Sequence, residues 1–412
     1  MRTQVQFRLL VVRLGAMGDI LHALPAITAL RRAHPAWRIG WAVEPKWRAL
    51  LSALDQVAVS QVDSPRSIPQ ALPGGFPSKQ YGALEIDGGR LHSEVVHRIK
   101  PKMPIEGRGW GRPIVDTLHF VSAKAWGRKP LSTETAAGIR ALRAELKAEQ
   151  YDAVLDLQGA IRSSVVARLS GCGRVIGSSK PWEWPARLLY TEPVETAGEH
   201  VIEQGIELAS AVAGDLLGPM LPWLPIDEDA ETWCDTLLDG MPEGRQLVLI
   251  HPGAGWGAKR WPADRYGVVA AALADRGITL LVHCGPGEDA LAAEVIEASD
   301  NSAFVVKPTL DQLIALTRRI SLAVGGDTGP VHLACALDRP VVGIYGPTDP
   351  SRNGPYGRRV RVLRNPESRR DHRRGSEPEA GLLTIRPDMV IGAALELLEP
   401  EEIGSEMGAE RR

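Results

Sequence analysis

Short unbroken apolar runs alternate along the chain with segments in which apolar residues recur every three or four positions. Phe7 to Val12 is such a run, closed by a glycine turn, and Ile20 to Arg32 carries the helical period. A strand buried on both faces reads as continuous apolar sequence and a helix as a 3.6-residue repeat, so the alternation predicts βα units and a mostly parallel sheet. Further strands are expected at Ile39 to Val43, Val115 to Val121 and Ala153 to Leu157, with a helix from about Glu134 to Glu149. The second half repeats the scheme. Strands are expected at Leu247 to Ile250, Thr279 to His283, Phe304 to Val306, Leu322 to Val324 and Val341 to Ile344. Helices are expected at Ala263 to Arg276, Ala290 to Ala298, Leu310 to Arg318, Pro330 to Ala336 and Met389 to Leu398.

Two stretches break this rhythm. From about Gln56 to Pro113 the text is rich in Pro and Gly around one helical candidate, Leu91 to Arg98, and reads as an insertion on the first domain. Its basic excess between Arg90 and Arg112 is first of all that of a solvated loop excursion, with an acceptor or membrane-surface contact as the sharper alternative. Pro219-Met-Leu-Pro-Trp-Leu-Pro225, followed by Asp227-Glu-Asp229, reads as an extended linker, because prolines interrupt helices and acids solvate. At 412 residues the chain exceeds one hydrophobic core. The expected organisation is an N-terminal α/β domain over 1–218, a linker over 219–230, a second α/β domain over 231–400 and a disordered polar tail over 401–412. Two such domains leave a cleft between them.

Composition narrows the function. Hydrophobic content of 44% and charged content of 24% are ordinary for a globular protein, and a formal charge of -2 argues against a nucleic-acid partner. Four scattered cysteines form no CxxC pair, so neither zinc nor a disulfide framework is signalled, and a reducing cytoplasm fits. No apolar stretch reaches the length of a spanning helix, so any membrane contact is expected to be peripheral.

The chemistry-bearing segments lie at strand ends. Gly18-Asp19 and Gly326-Asp327 each stand between an apolar run and a helical repeat, one in each half. Ligands of open α/β sheets bind beyond the carboxyl ends of the strands, where a helix start favours anions. In Gly326-Asp-Thr-Gly-Pro330, Thr328 adds a hydroxyl, Gly329 opens the helix and His332 follows one turn later; the bland alternative is a helix cap at Asp327 or Thr328. His251-Pro-Gly-Ala-Gly-Trp-Gly-Ala-Lys259 is a second glycine-rich turn, with Gly255 free to approach phosphate and Lys259 as a mobile charge. Gly253 to Ala258 formally fits the dinucleotide fingerprint, but Pro262 marks a later helix start and the next strand ends in His283-Cys284, so the match is weak. Glu288 in Cys284-Gly-Pro-Gly-Glu288 has the place of a ribose-binding acid or of an ordinary surface turn. Asp156-Leu-Gln-Gly159 is a further polar strand end. Asp227-Glu-Asp229 has the outline of a metal-binding DxD but not its setting after a strand, so a solvated acidic run is the better reading and no metal is expected. The run Arg369 to Arg374 reads as a solvated loop.

With these motifs in order, the chain resembles the ADP-heptose:lipopolysaccharide heptosyltransferases of glycosyltransferase family 9, and within them the heptosyltransferase I members most. The likeness covers most of the chain and is carried by RLGAMGDILHALPA, YDAVLDLQGAIRSS, HPGAGWGAKRWP, GPGE, GGDTGPVHLACALDRPVVGIYGPTDP and Tyr356-Gly357. It implies the GT-B fold and inverting transfer of a heptose from ADP-heptose to a Kdo residue of the lipid A inner core. It also implies no cofactor and no metal, with a monomer acting at the cytoplasmic face of the inner membrane. Asp19 matches the family's base, with Gly18 beside it on the acceptor side. Lys259, Thr328 and Gly329 match donor-phosphate contacts, Asp327 and His332 the donor-sugar side, and Glu288 or its neighbour Asp289 the ribose contact. Hydroxyl residues found in some members' glycine-rich turn are Gly and Ala here, which leaves phosphate to backbone N–H groups. Lys124, Arg128 and Lys129, just after the insertion, are the expected anchors for acceptor carboxylates or phosphates. Other readings are a family 9 enzyme with another sugar or acceptor, a GT-B-like sugar-nucleotide epimerase, and a non-catalytic nucleotide-sugar binder.

Overall fold

The computed structural model of the chain describes residues 6–52, 113–241, 245–370 and 375–399. The helical candidate Leu91 to Arg98, nearly all of the insertion, the tail and Asp371 to Arg374 of the arginine run lie outside these residues.

The first half builds β1 (Arg8–Val12), α1 (Met17–Ala33), β2 (Arg38–Val43), β3 (Thr117–Phe120), α2 (Ala123–Arg128), α3 (Thr133–Ala148), β4 (Ala153–Asp156), α4 (Ile161–Leu169), β5 (Val175–Ser178), β6 (Glu192–Val194) and α5 (Val201–Ala213). After α6 (Glu228–Asp239), the second half runs β7 (Leu247–His251), α7 (Ala263–Ala274), β8 (Thr279–His283), α8 (Asp289–Ala298), β9 (Phe304–Val306), α9 (Leu310–Arg319), β10 (Leu322–Gly326), α10 (Gly329–Ala336), β11 (Val341–Tyr345), α11 (Pro350–Asn353), β12 (Val360–Arg364), α12 (Ala380–Leu383) and α13 (Pro387–Leu398). Among the described residues no helix is long and apolar enough to cross a membrane.

Both sheets are six-stranded and parallel, in the orders β3-β2-β1-β4-β5-β6 and β12-β11-β10-β7-β8-β9. Counted from its own first strand, each has the same order, 3-2-1-4-5-6, and reverses direction between its first and fourth strands. A crevice opens at such a reversal. In the first sheet it lies between β1 and β4, ahead of Asp19 and Gln158. In the second it lies between β7 and β10, ahead of the glycine-rich turn and Asp327.

The central strands behave as their apolar text requires: Leu9 to Val12 and Val248 to Ile250 are fully buried. Helix α1 is buried almost all round, because it is enclosed by its own sheet, by α5 and by α10 of the other domain. One apolar cluster accordingly runs from Leu9, Ile20 and Leu24 through Ile202 to Leu249, Leu313 and Val331, so the domains share a core where they meet.

The structure departs from the sequence expectation on one side of each sheet and in the linker. Strands β5, β6 and β12 were not anticipated; β6 is Glu-Pro-Val and β12 is interrupted by Arg361, compositions that only an edge tolerates. The acidic run Asp227 to Asp229 is not a solvated linker. Asp227 is buried and caps α6, its Oδ1 accepting the Ala230 N–H at 2.9 Å, and Glu228 and Asp229 form the first turn, where the helix dipole favours acids.

Two imidazoles, His251 and His283, lie with ring centroids 4.8 Å apart at the ends of β7 and β8. Burial lowers His283 from its ordinary 6.5 to about 4 and, helped by His283, lowers His251 well below that ordinary value. Such a group stays neutral when folded but takes up a proton when unfolded, so its contribution is complete above pH 6.5 and is lost as pH falls, for His283 down to about 4. Urea unfolding between pH 7 and 4.5 is expected to show stability falling by up to ~1.4 kcal/mol per pH unit for each such histidine. His283→Gln should flatten that slope; an unchanged slope would show that His283 is protonated in the folded chain.

Candidate active site

The crevices of the two sheets face each other across a cleft of about 400 Å³. Its N-terminal wall carries Arg13, Asp19 and His22, and its C-terminal wall Trp256, Lys259 and Asp327.

Asp19 is the third residue of α1. Its Oδ2 accepts the Ala16 N–H at 2.7 Å, closing the helix start, and its Oδ1 accepts from Arg13 Nη2 at 2.7 Å. The Arg13 side chain is only 11% exposed and also donates to the carbonyls of Asp19 and Leu157. Asp19 thus closes the start of α1 and is also a cleft residue, 41% exposed at its side chain. A carboxylate has about four acceptor positions, and these two bonds leave capacity for an incoming hydroxyl. The neighbouring Asp156 is different. It is fully enclosed, accepts from the backbone of Gln158 and Gly159, from Ser163 and from Tyr190, and burial raises its pKa. Its work is to shape the loop from which Gln158 Oε1 accepts the Leu14 N–H at 2.6 Å, tying the two strand ends of the first crevice together.

In the second crevice, Asp327 lies between Lys259, with which it forms an ion pair, and His332, whose Nε2 is 3.2 Å from Asp327 Oδ1. Burial opposes its charge, but the bond from His332 and the Lys259 ammonium outweigh burial and hold the carboxyl well below its usual range. The Lys259 ammonium also lies 3.9 Å over the Trp256 ring. Thr328 is the N-cap of α10 but makes no side-chain cap bond, and Pro330 has no N–H to offer. The first-turn N–H groups of α10 consequently keep their affinity for an anion.

The three glycines of the second turn differ in duty. A Cβ on Gly257 would strike the Ser376 backbone carbonyl, so packing demands that glycine, whereas one on Gly253 would displace the Glu288 carboxylate that rests against it. One on Gly255 would meet open space, which leaves its backbone accessible. Glu288 is seated against this turn, with Oε2 accepting the Gly285 N–H at 2.9 Å; Asp289 instead points to the surface and pairs with Lys307 at 2.5 Å.

The walls meet through the starts of α1 and α10. A Cβ on Gly18 would come 2.8 Å from His332 Cδ2, and one on Gly329 would come 2.6 Å from Met17 Sδ. Gly18, expected beside the acceptor, is therefore a contact between domains. One turn further along α1, His22 Nε2 is 3.1 Å from His332 Nδ1.

The structure brings together Asp19, Lys259, Asp327, Thr328, Gly329 and His332, but not the expected acceptor anchors. Lys124, Arg128 and Lys129 are exposed on and just after α2, beyond the edge strand β3 and outside the cleft lining. β3 is two strands, roughly 10 Å, from β1, and Lys124 stands beside Lys46, just after β2. The cleft takes its cations instead from Arg13, Arg162, Lys180 and Arg352, with Trp182 and Gln204 beside them. Sequence reasoning passed over all of these. The available signals were Arg162 just after Gln158-Gly159, and His22 at i+3 from Asp19 on one helix face.

The family model of glycosyltransferase family 9 (heptosyltransferase) matches residues 139–382. Lipopolysaccharide heptosyltransferase 1 of Escherichia coli (strain K12) is 28% identical over 371 residues, covering 87% of this chain and 94% of that protein. The protein of the same name from Pseudomonas aeruginosa is 26% identical, covering 85% of this chain and 82% of that one. Among solved structures, the E. coli heptosyltransferase WaaC with ADP superposes with a TM-score of 0.67 at 23% identity, over 95% of this chain and 100% of that chain. A family 9 glycosyltransferase from Veillonella parvula gives 0.69 at 19% identity, over 97% and 98%. The paired crevices, the two parallel sheets and these likenesses agree: the chain has the GT-B fold and belongs to glycosyltransferase family 9 (heptosyltransferase).

Proposed function

We propose that the protein transfers L-glycero-D-manno-heptose from ADP-heptose to a Kdo residue of the lipid A inner core, with inversion at the anomeric carbon. The reading places it at the cytoplasmic face of the inner membrane, as a monomer. The observation that carries it is a carboxylate, Asp19, facing the pair Lys259–Asp327 and the open start of α10 across one cleft. Support comes from relatives named lipopolysaccharide heptosyltransferase 1 and from the structural likeness to E. coli WaaC solved with ADP-2-deoxy-2-fluoro heptose.

In this reading Asp19 accepts the proton of the acceptor hydroxyl as its oxygen attacks the anomeric carbon from the face opposite the diphosphate. The bond to ADP breaks as the new glycosidic bond forms. Charge developing on the leaving diphosphate is met by Lys259 and the N–H groups of α10, at Thr328 and Gly329, with the accessible backbone at Gly255 alongside. With a lysine and a helix start supplying the positive field, no metal ion or other cofactor is called for. Asp327, with His332 bonded beside it, accepts from hydroxyls of the donor sugar, and Glu288 accepts from those of the ribose. Arg13 holds the Asp19 carboxylate in place. Arg162 offers the acceptor's carboxylate a planar partner, the task first given to Lys124, Arg128 and Lys129.

Purified protein with ADP-heptose and a Kdo-bearing acceptor should form a heptosylated product. Turnover of the donor without acceptor would instead point to an epimerase. Asp19→Ala is expected to lower the transfer rate roughly 10²- to 10⁴-fold while ADP affinity by calorimetry is little changed; undiminished transfer would remove Asp19 from the chemistry. Lys259→Ala should weaken ADP binding by about 10- to 100-fold, the worth of a charged hydrogen bond. For the acceptor, Arg162→Ala should raise its KM about tenfold, again within the range of one charged hydrogen bond. Combined replacement of Lys124, Arg128 and Lys129 by Ala should leave transfer to a water-soluble acceptor unchanged; the reverse pattern would restore the α2 cluster as the acceptor site.

A further inference from the structure

The donor wall is not built by the C-terminal domain alone. His22 stands on α1 of the N-terminal domain, 8% exposed, and its polar contact crosses the boundary to His332 Nδ1 at 3.1 Å, with ring centroids 4.5 Å apart and planes at 76°. His332 is engaged on both nitrogens, since its Nε2 is 3.2 Å from Asp327 Oδ1. An ionised carboxylate can only accept, so His332 Nε2 carries the hydrogen. In a neutral imidazole Nδ1 is then an acceptor, and His22 must donate to it from Nε2.

The surroundings favour a neutral donor at His22. Burial, and the nearness of His332, His200 and Arg13, push its pKa well below the ordinary value. Behind it, His200 is fixed in its own tautomer, with Nδ1 accepting the Ile202 N–H at 3.2 Å and Nε2 donating to the Gly354 carbonyl at 3.1 Å. That ring packs edge-on at 5.4 Å from His22. The approach is close at Gly18 and Gly329, where an added side chain would displace His332 or Met17.

We propose that His22 is a positioning residue: donating from the N-terminal domain, it holds the ring of His332 at Nδ1 and through it the placement of Asp327 against the donor. This rests on the transfer reading above only for the claim that Asp327 and His332 face the donor sugar. Without the donor at His22, Nδ1 of His332 is left without its partner and the ring is held at one nitrogen only, so the bond from its Nε2 no longer aims the Asp327 carboxylate.

The test uses the full-length protein and two variants. His22→Phe keeps a flat ring and removes the donor; His22→Gln sets an amide N–H near the position of the imidazole Nε2. The expected result is a kcat about 5- to 100-fold lower for His22→Phe, the range for an unsatisfied buried hydrogen bond, with ADP affinity nearly unchanged and most of the rate restored in His22→Gln. In ¹⁵N–¹H imidazole spectra, the His332 Nδ1 resonance should carry the shift of a hydrogen-bonded acceptor in wild type and His22→Gln and lose it in His22→Phe. An unchanged kcat, an unchanged His332 Nδ1 resonance in His22→Phe, or equal impairment of both variants would overturn the proposal. A lowered Tm with rate and Nδ1 resonance intact would reduce His22 to packing and overturn it as well. If wild type transfers no heptose, the transfer reading fails, and the imidazole spectra alone decide whether His22 sets His332.

Discussion

The close crossing of α1 and α10 is the constraint on which the cleft depends. Gly18 lies against His332 and Gly329 against Met17, so each helix start presents a bare backbone where the other domain projects a side chain. That reciprocity brings the strand ends of two separate sheets within reach of one ligand. Since interiors close-pack, a methyl group at either glycine would force the facing His332 or Met17 side chain to shift. The shared apolar cluster beneath the crossing, from Ile20 and Leu24 to Leu249 and Val331, then fixes the angle at which the walls face.

Much of this was legible in the sequence. Central strands buried on both faces have no choice but continuous apolar text, and helices between them repeat at 3.6, so β1, β7, β8, β10 and β11 lie where the pattern put them. The Gly-Asp turns were recognisable because a strand end, a glycine and an acid before a helix leave few alternatives. Edge strands such as β6 and β12 escaped because an edge answers to solvent as well as core. Asp227 to Asp229 misled for a related reason: acids mark solvated linkers and helix starts alike, and only the burial of Asp227 separates the two.

The site was legible by halves. Residues within one motif, such as Asp327, Thr328 and His332, are placed by local geometry, and local geometry is what sequence spacing encodes. His22 with His332 is a pair separated by 310 positions, and Arg13 with Leu157 by 144; such partnerships arise from sheet order and domain contact. The placing of Lys124 and Arg128 was illegible on the same ground, because they follow an edge strand whose distance from β1 is set by the order β3-β2-β1.

Both sheets have the same strand order, so the cleft brings together two equivalent helix starts, each the positive end of a dipole. They are nonetheless not interchangeable. The start of α1 already holds an acid of its own, since Asp19 takes the Ala16 N–H, whereas the acid beside α10 is drawn off to Lys259 and His332. A nearly symmetric pair of mouths thereby acquires a direction. The two poles are therefore unequal toward any negative charge, one already answered by its own acid and the other not.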